Sequence, residues 1–126
     1  MADVVVGIDG SPASAEALQL ALREAALRGG TVRAVHVWHG DEEAARRLLD
    51  DAVGDAPVER VLVESTSPAA ALADAAEDAQ LLVLGTRGRG GLHELLDGSV
   101  SFDCRRLAAC PVMVVTAPHH ASMPVR

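Results

Sequence analysis

The chain has 126 residues, 49% hydrophobic and 23% charged, and a formal net charge of −7. That is the length of one domain with a single core, and the acidic balance argues against a nucleic-acid partner, which selects for a basic excess. All 11 basic residues are Arg, and the lack of Lys excludes a Walker phosphate loop, Schiff-base or pyridoxal-phosphate chemistry and a protein kinase, each of which needs a Lys amine.

Two aromatic residues, Trp38 and Phe102, are too few for a base-stacking platform. No apolar run approaches the roughly 20 residues of a membrane helix, so no membrane partner is expected. Met1-Ala2-Asp3 lacks the basic start of a signal peptide, which points to the cytoplasm. Cys104 and Cys110 are the two cysteines. No CxxC is present, and a helix between them would hold the thiols too far apart for a disulfide.

Short β-branched runs alternate with Ala/Leu-rich stretches. Val4 to Ile8 is a continuous apolar run and predicts a buried parallel strand. Ser11-Pro12 is a cap followed by Pro at the first helical position. Ala15, Leu18, Leu22 and Ala25 then mark a helix face that Gly29-Gly30 ends. Thr31 to Trp38 predicts the second strand, and Asp41 to Val53 a short helix with Ala45, Leu48, Leu49 and Ala52 inward. Glu59 to Glu64 predicts the third strand. Ser67-Pro68 repeats the cap signal before a helix over Ala69 to Ala79. Leu81 to Leu84 predicts the fourth strand and Thr86 to Gly98 a glycine-rich connection. Ser99 opens a helix whose apolar stripe is Val100, Cys104, Leu107 and Ala108. Pro111 to Thr116 predicts the fifth strand, and 117–126 a disordered tail after a domain of residues 1–116.

This alternation implies right-handed crossovers and a doubly wound α/β domain, a parallel sheet with helices on both faces. Such folds bind ligands at the carboxyl ends of the strands, where strand order reverses. The loops after strands one and four are therefore the ones to inspect. The fourth-strand connection, Gly85-Thr86-Arg87-Gly88-Arg89-Gly90-Gly91, holds four glycines in seven residues. Glycines let backbone N–H groups approach an anion closely. Gly98-Ser99 then starts a helix, whose free N–H groups and dipole favour negative charge. With the two arginines these residues form a polyphosphate cradle that needs no Lys. A flexible loop with a capping Gly and Ser is the alternative. Asp9, at the end of the first strand, offers a carboxylate to an amino or hydroxyl donor, or is a turn residue in Asp-Gly. Val37 ends the second strand, where its backbone can edge onto a planar base, though its side chain reads as core. His36 reads as a packed residue, while His39 and His93 stand near the ligand edge.

The spacing Gly85-x2-Gly88-x9-Gly98-Ser99 resembles the ATP-binding signature of the universal stress protein family. Val4 to Ser11, Ala34 to Val37 and Ala109 to Val115 resemble its first, second and last strands, so the likeness runs from Val4 to Thr116. The resemblance implies a Rossmann-like five-stranded parallel sheet of order 3-2-1-4-5 and a homodimer. It implies that Asp9 holds the adenine or ribose side, that the Val37 backbone contacts adenine, and that Gly7 lies close to the nucleotide. Gly85, Thr86, Arg87, Gly88, Arg89, Gly90 and Gly91, with Gly98, Ser99 and Val100, would hold ribose and phosphates.

Two departures stand out. The stretch Gly40 to Glu59 is shorter than is usual in the family, and Asp97 replaces the apolar residue that precedes Gly-Ser. Asp97 is the candidate ligand for a Mg²⁺ shared with the phosphates of ATP. The homodimer is expected through strand five, Pro111 to Val115, an apolar edge strand. The functional expectation is an ATP-binding, nucleotide-dependent regulatory module of stress response. A slow ATPase or phosphotransferase and a nucleotide-free interaction module are the alternatives. A phospho-acceptor receiver domain is excluded by the absent Lys and acidic pair.

Overall fold

A computed structural model describes residues 3–86 and 98–116. The element order is β1 (Val4–Gly7), α1 (Pro12–Arg28), β2 (Val32–Trp38), α2 (Glu42–Val53), β3 (Glu59–Glu64), α3 (Pro68–Ala75), β4 (Leu81–Thr86), α4 (Gly98–Leu107) and β5 (Val112–Thr116). The strands form one parallel sheet in the order β3-β2-β1-β4-β5, as expected. Strand order reverses between β2 and β4 around the central β1, so the ligand-receptive crevice lies above β1.

Alternation along each strand builds two cores. Val4 and Val6 pack with α1 and α2 through Ala17, Leu18, Ala21, Leu49 and Val53. Val5 faces the other way and packs with α3 and α4 through Leu72, Ala76, Val100 and Cys104. Because both faces are covered, the central strands are apolar throughout rather than alternating. Among the described residues no helix is long and apolar enough to cross a membrane.

The helix starts follow the sequence signals. Ser11 Oγ accepts from Ser14 N at 3.1 Å, with Pro12 next in the chain. Asp41 Oδ1 accepts from Ala44 N at 3.1 Å, and Gly29 closes α1 in the left-handed region at φ 66°. Ser67 precedes α3 but makes no side-chain cap bond. Helix α3 also ends at Ala75, earlier than the expected Ala79. The chain leaves it through i→i+3 turns, with Glu77 N donating to Asp74 O and Ala79 N to Ala76 O, and Gln80 N is then drawn to Asp3 O at 2.8 Å.

Two expected helix faces are corrected. The buried stripe of α1 is Ala13, Ser14, Ala17, Leu18, Ala21 and Ala25, while Ala15 is exposed and Leu22 only half-buried. The reason is close approach: a Cβ on Gly85 would stand 2.4 Å from the carbonyl carbon and oxygen of Ala13. Helix α1 therefore turns its smallest residues to the sheet. On α4, Val100 and Cys104 are buried but Leu107 is 49% exposed.

Candidate functional site

The crevice above β1 is built from the carboxyl end of each neighbouring strand. The loop after β1 supplies Asp9, Gly10 and Ser11, held by a closed set of bonds. Ser11 N donates to Asp9 Oδ1 at 2.9 Å. Asp9 N donates to Ser14 Oγ at 3.3 Å, and Ser14 Oγ donates to Ser11 O at 3.0 Å. The turn thus borrows the first residues of α1 to fix the Asp9 side chain. Asp9 is 8% exposed, and its Oδ2 is the one sealed side-chain oxygen or nitrogen among the described residues without a partner. An acceptor left unmade in a buried place carries a cost. A ligand donor is what would repay it.

Strand β2 ends beside this loop. Val35 O accepts from Ile8 N at 2.8 Å, and Trp38 O accepts from Ser65 N at 2.8 Å. Odd residues of β2 therefore direct their backbone toward β1 and even ones toward β3. The N–H and C=O of Val37 point to the β1 side, past Gly7, the last paired residue of β1. They face the loop instead of a strand. Ile8 O, which a continued ladder would pair with Val37 N, is engaged by His36 Nδ1 at 2.8 Å.

Next to Val37 opens a cavity of about 600 Å³, lined among others by His36, Trp38, His39, Asp41, Leu48 and Ser65. That volume lies within the range of small-molecule sites. Leu48 of α2 also reaches the loop, since a Cβ on Gly10 would meet its Cδ1 at 3.3 Å. The cavity and the Asp9 loop are thus neighbours with a shared wall.

On the other side of β1, Gly85 and Thr86 end β4, and Thr86 is buried. Gly85 carries a packing demand of its own, because only a residue without Cβ lets the first turn of α1 lie on β4. Gly7 is less demanding: on the opposite face a Cβ would meet the side-chain tip Leu84 Cδ2 at 2.9 Å and no backbone atom as near. Helix α4 begins at Gly98, and its Val100 is buried in the α3–α4 core. The structure thereby brings Asp9, Val37, Gly85, Thr86 and the start of α4 to one edge of the sheet. Arg87, Gly88, Arg89, Gly90, Gly91, His93 and Asp97, and the tail 117–126, lie outside the described residues. Among the described residues no cluster of three His, Cys, Asp or Glu side chains is arranged for a metal ion.

Sequence reasoning missed three contributors. Ser14 was hidden inside a helix pattern, and Leu48 counted only as core. His36 read as packing, although a polar residue inside a buried strand was a signal that its ring bonds to something. Both cysteines are free. Cys104 is fully buried, and burial, then the Asp103 charge, push its thiol up to about 11. Burial also raises the Cys110 thiol. Neither is an activated nucleophile.

A doubly wound parallel sheet with a receptive loop at its switch point defines a Rossmann-like α/β binding domain. The chain belongs to the universal stress protein family: the model of that family matches residues 1–60 and 40–116. A universal stress protein of Mycolicibacterium smegmatis is 42% identical over 132 aligned residues, covering 89% of this chain and 45% of the relative. The chain spans about half the length of the curated relatives it matches. Since 89% of 126 residues is about 112, about 20 positions of that alignment face gaps in this chain. The two family-model stretches overlap over 40–60, the segment read above as shortened. Among solved structures, the universal stress protein from Archaeoglobus fulgidus in complex with dAMP superposes with a TM-score of 0.73 at 30% identity, covering 92% of this chain and 98% of that one. A universal stress protein in complex with cAMP gives a TM-score of 0.73 at 26% identity, covering 92% and 98%.

Proposed function

We propose that this domain binds an adenine nucleotide, ATP in its working form, and acts as a nucleotide-dependent regulatory module in stress response. The observation that carries the reading is the buried, unpartnered Asp9 Oδ2 beside the outward-facing backbone of Val37. Asp9 accepts from a ribose hydroxyl or the base, and the Val37 N–H and C=O pair with the base edge. The start of α4 and the glycine-rich segment take the phosphates, as anions favour helix N-termini. Two relatives of the same fold are described in complex with dAMP and cAMP, which supports the adenine class.

Asp97 and the phosphates would share a Mg²⁺, which commonly takes one carboxylate together with phosphate oxygens. The cytoplasm and a homodimer through β5 complete the proposal. Hydrolysis is at most slow, because Asp9 is committed to the nucleoside. The test is release of bound nucleotide from denatured protein, identified by chromatography, with calorimetry of ATP on the parent and on Gly88→Asp. Binding by the parent and its loss in the variant, at unchanged circular dichroism, is the expected outcome. Equal affinity in both would remove the phosphate cradle.

A further inference from the structure

The cavity beneath α2 contains a group that the nucleotide reading has not used. His36 is 5% exposed and lines that cavity from β2. Its Nδ1 stands 2.8 Å from Ile8 O. A carbonyl has no hydrogen to give, so Nδ1 carries the proton and donates. In the neutral ring Nε2 is then a bare acceptor. Nε2 has no hydrogen-bond partner among the described residues, yet it is not sealed, since Asp9 Oδ2 is the only sealed unpartnered side-chain atom there. The cavity is the space it has to face.

We infer that His36 Nε2 is a specificity determinant for the base, selecting a heterocycle with an exocyclic amino group over its oxo-substituted isostere. This rests on the nucleotide reading above and names what that site discriminates. An exocyclic amino group brings two hydrogens. The end of β2 offers two acceptors for them, the Val37 C=O and His36 Nε2. An oxo group in the same place sets lone pair against lone pair and leaves both protein acceptors unmade. The bond to Ile8 O is what makes this work. It holds the ring in one tautomer, so that Nε2 cannot become a donor without taking up a proton. It also ties the recognition group to the peptide that precedes Asp9.

The experiment compares ATP with ITP, whose bases differ in this amino-for-oxo exchange and in N1, an acceptor in ATP and an N–H donor in ITP. Affinities are measured by calorimetry on the parent, His36→Asn and His36→Gln. The Asn amide can still donate toward Ile8 O but has no atom in the place of Nε2. The Gln amide reaches further and offers a carbonyl acceptor. The parent is expected to prefer ATP, His36→Asn to lose about tenfold of that preference, the value of one hydrogen bond, and His36→Gln to recover part of it. A merely structural role would lower both affinities together and leave their ratio alone. An unchanged ratio in His36→Asn overturns the inference while nucleotide binding stands. The parent supplies a second readout if the variants do not fold. Trp38 is the only Trp and lines the same cavity, so ATP must alter its fluorescence. Calorimetric binding with silent Trp38 emission also overturns the inference. Binding of neither nucleotide by the parent overturns the nucleotide reading itself.

Discussion

Asp9→Asn separates ligand recognition from folding. In the parent, Oδ1 accepts from Ser11 N at 2.9 Å while Oδ2 is sealed without a partner. The Asn carbonyl can keep the Ser11 bond, so the turn survives. The other position changes from a carboxylate oxygen to a neutral N–H₂ donor. A buried unsatisfied group costs about 1–3 kcal/mol, and more when charged. The N–H₂ is itself unpartnered there, so only the extra cost of the charge is relieved; the ligand-free variant should gain about 1 kcal/mol, which for a domain of this size raises Tm by about 4 °C. Ligand binding should move the other way. A hydrogen bond to a charged acceptor contributes about 1.5–3 kcal/mol, so ATP affinity should fall about 10- to 150-fold. Thermal melts with and without ATP, paired with calorimetry, read both effects. The variant should melt higher alone and gain less from ATP. Affinity within twofold of the parent would refute the assignment of Oδ2 to the ligand. A clear loss of stability without ligand would refute the claim that it is a buried liability.

Gly85→Ala should destabilise by about 1–3 kcal/mol in urea unfolding, because its Cβ would stand 2.4 Å from the Ala13 backbone and 2.7 Å from Ser14 N. It should also weaken ATP binding by displacing the Ser14 support of Asp9, and a cost under about 0.5 kcal/mol would show that α1 yields freely. Leu72→Ala empties a fully buried site in the α3–α4 core and should cost about 2–5 kcal/mol in the same measurement. Cys104 ionises at 9.0 when unfolded and at about 11 when folded, so the folded state holds the extra proton between those values. Stability from this group is then complete below pH 9 and lost as pH rises toward 11, on the order of 2 kcal/mol, and Cys104→Ala should flatten that alkaline slope. Val114→Lys on the edge strand β5 should shift a micromolar dimer toward monomer in sedimentation, and a monomeric parent would exclude pairing through β5.

The order of elements was legible in the residues because each signal was local. Val4-Val5-Val6 makes a strand buried on both faces, Ser11-Pro12 starts a helix and Gly29 stops it. Five such strands separated by helices leave few topologies, and the switch-point rule then places Asp9 and Gly85 at one edge. What the residues did not disclose were relations across the sheet. The face that α1 buries is decided by how closely its backbone must approach Gly85, a distance and not a pattern of hydropathy. Which oxygen of Asp9 is engaged depends on Ser11 and Ser14 folding back over it. His36 acquires its tautomer from Ile8, 28 positions away in the chain and 2.8 Å away in space. Hydrophobic periodicity records which side of an element is buried. Hydrogen-bond partners and close backbone approaches exist only once the elements are packed, and in this protein they turn a turn residue and a core histidine into a candidate binding site.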